Sequence, residues 1–171
     1  AIVSVSTFGV TKAGNGTMTF SGVNTYTGVT TVNAGILSVG TIEDGGVAGN
    51  LGAATNAAAN LVLGGGRLQY TGATASTNRN FTLTTATTST LEITNSVTNL
   101  TMSGASTSTS GGIIKAGDGS LTLTGASAYT GSTTVSAGAL IAGANVAVST
   151  NSPFGNAASA LVLGNSSTTA N

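Results

Sequence analysis

The chain has 171 residues, of which only four are basic and four acidic, and it contains no cysteine and no histidine. These absences exclude thiol chemistry, a serine–histidine nucleophile pair and the usual zinc sites. With no basic surface for nucleic acid either, we expect no catalytic residues, no cofactor, no metal and no nucleic-acid partner.

Short strands are predicted along the whole chain. Residues 17–21 alternate, so that Met18 and Phe20 lie on one face. The same spacing recurs in six later pairs: Leu61 and Leu63, Leu68 and Tyr70, Phe81 and Leu83, Leu91 and Ile93, Leu100 and Met102, Leu121 and Leu123. An apolar pair two residues apart is the period of a strand with one buried face. The pattern predicts an all-β fold in which Arg67, Gln69 and Glu92 point to solvent.

One long segment occurs twice. Residues 12–37 and 115–140 are identical at 15 of 26 positions, with a constant offset of 103 residues, and LVLG at 61–64 recurs at 161–164. A repeat of short β-prone segments and glycine turns is typical of a stacked solenoid. We interpret residues 1–171 as a single β-solenoid segment with a super-repeat of about 103 residues. Its first copy spans residues 12–114 and its second, partial copy spans residues 115–171.

Glycine-rich turns separate the strands. The turns at 14–16 and 117–119 contain Asn-Gly and Asp-Gly, and we prefer solenoid corners to hairpins because the flanking segments do not form obvious hairpin partners. The predicted structural repeat residues are Gly16, Gly22, Tyr26, Gly28, Gly35 and Leu37, with Gly119, Gly125, Tyr129, Gly131, Gly138 and Leu140 in the second copy. At about 20–25 residues per coil, the chain is expected to form seven or eight coils in a rod roughly 35 Å long.

Equivalent side chains of the two copies have a structural and a binding interpretation. Lys12 and Lys115 are expected to have a structural role at a turn rather than to bind a ligand. Tyr26 and Tyr129 are expected to cover the end of the apolar core, and the alternative is a surface ring that stacks on sugars. The recurring Thr-x-Thr pattern is too irregular for a flat ice-binding face, and hydrogen bonding between coils explains it better.

Residues 41–60 differ from their counterpart in sequence and length, which predicts a loop or an irregular coil. This segment contains Glu43 and Asp44, the only adjacent carboxylates. A polysaccharide-acting enzyme would need two convergent carboxylates, and neighbours on a strand point to opposite faces. We therefore interpret both as solvated loop residues.

The two copies resemble the autotransporter-associated β-strand repeat. The matching segments run from Gly14 to Leu37 and from Gly117 to Leu140, through Tyr-Thr-Gly-x-Thr-Thr-Val-x-Ala-Gly-x-Leu. Residues 61–72 and 77–83 also resemble segments found between such repeats. The resemblance implies a right-handed parallel β-helix in a secreted bacterial protein, exported through the outer membrane and displayed at or released from the cell surface. Under this interpretation, the chain is a repeat segment without its own caps.

The preferred hypothesis for function is structural: a rigid β-helical stalk or an extracellular fibre subunit of a bacterial surface protein, not an enzyme. Expected partners are other copies, other segments of the same long chain and cell-surface glycans, and we expect no membrane insertion by this segment. The alternative is an adhesin-type module that binds glycans or host surfaces through loops such as 41–60. A polysaccharide-acting enzyme is the third hypothesis.

Overall fold

A computed structural model describes residues 7–146, 150–156 and 161–163, and within them the chain is an all-β solenoid of parallel strands. The predicted fold class is therefore confirmed. The strands are β1 (Val10–Lys12), β2 (Thr17–Phe20), β3 (Thr30–Val32), β4 (Ile36–Val39), β5 (Leu61–Leu63), β6 (Arg67–Tyr70), β7 (Ala75–Thr77), β8 (Thr82–Leu83), β9 (Thr88–Ile93), β10 (Asn99–Met102), β11 (Gly112–Ala116), β12 (Ser120–Leu123), β13 (Thr133–Val135), β14 (Ala139–Ala142), β15 (Asn151–Ser152), β16 (Gly155–Asn156) and β17 (Leu161–Leu163). One 3-10 turn spans Ala58–Asn60. No described residues form a helix of the length and apolarity needed to cross a membrane.

The strands stack into three parallel sheets, which we call faces 1, 2 and 3. Face 1 contains β1, β3, β5 and β8; face 2 contains β2, β4, β6, β9, β11, β13 and β17; face 3 contains β7, β10, β12 and β14. The chain visits the faces in the order 1, 2, 3 within each turn, as β8, β9 and β10 illustrate. The antiparallel hairpin of β15 and β16 is the exception.

Apolar side chains of successive turns lie above one another and form the core. On face 2 the paired residues are Met18, Leu37, Leu68 and Leu91. The last three are 0–3% exposed, whereas Met18, in the first turn, is 38% exposed. Full burial of one such side chain stabilises the fold by about 2 kcal/mol. The predicted inward alternation is thus confirmed, and each turn is stabilised mainly by its neighbours.

The described strands form about six turns, so the expectation of seven or eight coils was too high. The turns differ in length, because Ile36 pairs with Arg67, 31 residues later, whereas Arg67 pairs with Thr90, 23 residues later. The long turns contain irregular segments outside the strands. The same number of residues therefore forms fewer turns than it would in a uniform coil.

Corners join strands of different faces. The turn at 14–16 connects β1 of face 1 to β2 of face 2, and the turn at 117–119 connects β11 of face 2 to β12 of face 3. Neither turn pairs its flanking strands, so the preference for corners over hairpins is confirmed.

Outward polar residues also pair between turns. The Arg67 guanidinium lies 3.1 Å from the Glu92 carboxylate, which also accepts a hydrogen bond from Gln69 at 2.7 Å. The Arg67 side chain is 41% exposed, so this ion pair is expected to contribute less than about 1 kcal/mol.

Candidate functional site

Each copy of the repeat buries one lysine inside a corner of the solenoid. Lys115, in β11, is 0% exposed and occupies the face 2 column between Leu91 and Val135. Its ammonium donates hydrogen bonds to the carbonyl oxygens of Ala116 and Gly117 at 2.7 Å each and of Ala137 at 3.1 Å. We call a lysine with its three carbonyl partners a lysine clamp.

The first copy contains the same clamp. Lys12 is 4% exposed and donates to the carbonyl oxygens of Ala13, Gly14 and Ala34 at 3.0, 2.7 and 3.1 Å. Because Ala34 belongs to the following turn, the clamp connects one corner to the corner stacked on it. The structural role expected for these lysines is confirmed. Their burial inside the core was not predicted, since lysine is rarely buried unless it is paired.

The Lys115 clamp holds a positive charge at neutral pH. Burial lowers the pKa of Lys115 to about 8, although the carboxylates of Asp118 and Glu92 favour the charged form. Charge-assisted hydrogen bonds to three carbonyls also favour the ammonium, which has three donors to match them. The site is therefore full, and no donor remains for a ligand.

A glycine completes each corner. Gly35 and Gly138 have φ of +63° and +65°, a conformation that favours glycine. A Cβ at Gly138 would lie closer than 3.0 Å to the carbonyl oxygens of Gly117 and Gly119 in the preceding corner. Close stacking of corners thus explains why Ala-Gly follows β3 at residues 34–35 and follows the equivalent β13 at residues 137–138.

The equivalent tyrosines are buried, with exposed fractions of 1% for Tyr26 and 0% for Tyr129. Each hydroxyl forms a hydrogen bond with a threonine hydroxyl four residues later: Tyr26 with Thr30 at 2.7 Å and Tyr129 with Thr133 at 2.6 Å. A ring that stacks on sugars would have to be exposed, so this alternative is excluded at both positions.

The remaining repeat residues lie at corners or in the core. A Cβ at four of these glycines would lie closer than 3.0 Å to an atom of another turn: Gly28, Gly119, Gly125 and Gly131. Gly16 has open space beside it among the described residues, and the Gly22 carbonyl accepts a hydrogen bond from Asn50 at 2.9 Å. Leu37 is fully buried, whereas Leu140 is only partly buried.

These buried groups predict how stability depends on pH. Folded Lys115 loses its proton near pH 8 and the unfolded residue near 10.5, so the unfolded state binds more protons in this window and stability should rise with pH. Burial raises the pKa of Tyr129 from 10 to about 12, so stability should fall over that higher window. Urea unfolding at pH 7, 9.5 and 11.5 should give the highest stability at pH 9.5.

Two variants separate these contributions. Lys115→Met should remove most of the increase in the free energy of unfolding between pH 7 and 9.5. Tyr129→Phe should reduce the decrease between pH 9.5 and 11.5. Part of that decrease should remain in Tyr129→Phe, because burial also raises the pKa of Tyr26. A wild-type free energy of unfolding that decreases steadily from pH 7 to 9.5 would contradict the prediction.

An irregular segment leaves the regular coil between β4 and β5. It spans residues 40–60, and we call it the first excursion. It occupies the place that face 3 strands take in later turns, since the Glu43 carbonyl accepts a hydrogen bond from Thr77, in β7, at 3.0 Å. The predicted irregular loop is thus present, and it is closely packed, with Leu51 and Ala54 only 2% and 1% exposed.

Arg79 holds the shape of the first excursion from within. Its side chain is 3% exposed and donates to the carbonyl oxygens of Glu43, Ala54 and Gly52 at 2.9, 3.1 and 2.8 Å, with a longer contact to that of Val47 at 3.4 Å. Burial lowers the pKa of Arg79, but a guanidinium remains charged. The sequence did not identify this residue, although one arginine between two asparagines in a nearly uncharged chain was an available signal.

Replacement of Arg79 should release the first excursion. Arg79→Met removes the donor of the Gly52 and Val47 carbonyls, whereas the carbonyls of Glu43 and Ala54 keep hydrogen bonds from Thr77 and from the Gly46 amide. We expect a local loss of about 2 kcal/mol. Hydrogen exchange of the amides in residues 43–54 should accelerate about 30-fold, while the core strands exchange as before. Arg67→Met, which removes a surface arginine, is the control and should leave these amides protected.

A groove of about 510 Å³ lies between the first excursion and strands β6 and β7. Glu43 and Asp44 line it together with Tyr70 and Val47. The Glu43 Oε2 atom is buried and has no hydrogen-bond partner within the described part of the chain, and it lies beside Gly49. Burial and the charge of Glu43 raise the pKa of Tyr70.

The two carboxylates do not form a catalytic pair in this arrangement. Asp44 accepts a hydrogen bond from the backbone N–H of Asn78 at 2.7 Å, while the Glu43 carboxylate turns to the buried side of the excursion. Across the described ranges, no three Asp, Glu, His or Cys side chains converge to hold a metal ion.

Comparisons with known proteins agree with the repeat. The family model described as Passenger-associated-transport-repeat matches residues 10–39 and 113–142. The protein named Adhesin BmaC autotransporter, from Brucella suis biovar 1 (strain 1330), is 45% identical over 135 residues, which is 77% of this chain. The matched part spans only 4% of the length of that relative. No solved structure matches significantly.

Proposed function

We propose that this chain, which belongs to the autotransporter passengers that carry the passenger-associated-transport-repeat, acts as a rigid, non-catalytic spacer. Passenger segments of this kind are exported through the outer membrane to the cell surface or the extracellular space. The observation that carries the proposal is the lysine clamp, which fixes consecutive corners at Lys12 and Lys115. Continuous parallel sheets and clamped corners favour a rod that resists bending and proteolysis.

The experiment inserts a second copy of this segment into the full passenger. Six turns at about 4.8 Å each should lengthen the rod by about 29 Å in electron micrographs, without loss of surface display. A second insert with Gly138→Ala is the control and should not give the same regular extension. Equal lengths with and without the intact insert would contradict a spacer role.

A second candidate function, contact with a glycan, is favoured by the first excursion. Arg79 fixes its shape, Val47 is 51% exposed, and the adjoining groove is lined by hydroxyl and carboxylate groups. The matched relative is named an adhesin. A glycan array probed with the purified chain should give signals that Val47→Ser weakens and that Val162→Ser, on β17 and four strands from β6 in face 2, leaves unchanged. An array without signals would contradict this candidate.

We also propose self-association of the rods. The net charge is zero, and apolar side chains such as Val23 and Val97 are 61% and 84% exposed, so little repulsion opposes contact between copies. Analytical ultracentrifugation over a hundredfold range of concentration should show reversible growth. A constant monomer mass throughout that range would contradict it.

A further inference from the structure

We propose that Asn15 is a site of spontaneous covalent modification, at which deamidation gives the Lys12 clamp the carboxylate that the second copy already encodes. Asn15 and Gly16 form the one Asn-Gly sequence of the chain, and they lie in the turn between β1 and β2. The proposal holds whether the segment acts as a spacer or as a contact surface.

The turns of the two clamps have the same conformation and differ in one residue. Gly14 and Gly117, which begin these turns, have φ of +74° and +73°. The next residue is Asn15 in the first copy and Asp118 in the second, and the third is glycine in both. Deamidation of the asparagine would therefore make the two turns identical in sequence.

The carboxylate of the second turn acts on the buried lysine. Burial lowers the pKa of Lys115 to about 8, and the charge of Asp118 opposes this effect by favouring the ammonium. Lys12 is buried in a clamp of the same kind, but none of the four acidic residues of the chain precedes residue 43. A carboxylate at residue 15 should therefore favour the charged Lys12 as Asp118 favours the charged Lys115.

Asn-Gly is the sequence in which an asparagine side chain reacts most readily with its own main chain, because glycine places no Cβ beside the attacking nitrogen. The Gly16 nitrogen attacks the Asn15 Cγ atom, a C–N bond forms, and the side-chain nitrogen leaves as ammonia with the proton of the amide. Water then opens the cyclic imide by breaking one of its two C–N bonds. The product is aspartate, or isoaspartate with a main chain longer by one carbon atom, and each carries one carboxylate. Water is the only co-reactant.

The structure leaves this reaction open at residue 15. Asn15 and Gly16 are both exposed. Among the described residues other than the chain neighbours of Gly16, no atom lies within 4 Å of the point that a Cβ on it would occupy. The Gly16 amide also has no hydrogen-bond acceptor in the part of the chain that the structure describes, so its nitrogen is available for attack.

The two Asp-Gly sequences of the chain, which form the same imide by loss of water, are held in place. The Gly119 amide donates a hydrogen bond to the Ile93 carbonyl at 2.9 Å, and the Gly45 amide donates one to the Asn78 Oδ1 atom at 2.9 Å. We therefore expect the modification at Asn15 and not at the two aspartates.

The first test follows the reaction in the purified chain at mildly alkaline pH by peptide mapping and mass spectrometry. Deamidation of Asn15 should be at least about tenfold faster than in the Gly16→Ala variant, whose Cβ hinders ring closure. This variant should fold normally, because Gly16 has room for a Cβ and is not among the glycines with positive φ. Equal rates in the two proteins, or modification spread evenly over the exposed asparagines, would overturn the proposal.

The second test measures the effect of the new charge with Asn15→Asp, which is the aspartate product. Its folding equilibrium constant should be about twofold larger at low salt, as is usual for a charge pair with an exposed member, and the gain should disappear at high salt. Asn15→Ser, the uncharged control, should show no gain at either salt concentration. In chains that also carry Lys12→Met the gain should vanish.

Three results would contradict the effect on the clamp. Asn15→Asp would be no more stable than Asn15→Ser, its gain would persist unchanged at high salt, or the gain would be the same size with Lys12→Met. The rate measurement decides whether the site reacts, and the stability measurement decides whether the product acts on Lys12.

Discussion

Lys115→Met is expected to lower the free energy of unfolding by about 3 kcal/mol at pH 7. The substitution keeps most of the apolar volume but removes the ammonium that bonds to three carbonyl oxygens inside the corner. A buried carbonyl without a donor costs about 1–3 kcal/mol, and part of the total is recovered because the charge no longer needs to be buried. Urea unfolding followed by circular dichroism measures the change.

Arg67→Met is the matched control for this prediction. It also removes one cation, but from a side chain that is 41% exposed and paired with Glu92 at the surface. We expect a change of less than about 1 kcal/mol. If the two variants lose the same stability, the clamp does not stabilise the solenoid beyond an ordinary surface charge.

Gly138→Ala is expected to destabilise the chain by about 4 kcal/mol. An alanine must adopt a φ near +65°, which costs about 1–2 kcal/mol by itself. Its Cβ would also lie closer than 3.0 Å to two carbonyl oxygens of the preceding corner, so the corners must separate and weaken the Lys115 clamp. Thermal and urea unfolding should both show the loss.

Gly14→Ala separates the cost of the backbone conformation from the cost of the close approach. Gly14 has a similar φ of +74°, but among the described residues other than its chain neighbours no atom lies within 4 Å of the point that a Cβ would occupy. Its substitution should cost only the backbone strain of about 1–2 kcal/mol. Equal losses at Gly14 and Gly138 would show that the stacking of corners contributes nothing.

The sequence alone identified the class of fold because strand periodicity is local. Pairs such as Leu68 with Tyr70 and Leu91 with Ile93 specify which side chains point inward without information from distant residues. The turn at 117–119 was placed at a corner on another local observation, that its flanking segments do not form obvious hairpin partners. Strand periodicity failed for Lys115, because the alternation does not tell whether a charged residue in an inward position finds partners there.

The candidate site depended more strongly on tertiary structure. The irregular character of residues 41–60 was readable from the sequence, but the hydrogen bonds from Arg79 join residues 25–36 positions apart. Only the stacking of turns brings these groups together.

The sequence by itself determined the strands, the glycine corners and the match of residues 10–39 and 113–142 to the passenger repeat. These features depend on short patterns that occur in both copies. Only the tertiary structure decided which face each copy occupies and which polar groups lie inside. The physical reason is that the face of a residue depends on the summed length of all the turns before it. The turns vary from 19 to 31 residues, as those from Thr17 to Ile36 and from Ile36 to Arg67 show. The summed length therefore cannot be derived from a short segment of the sequence.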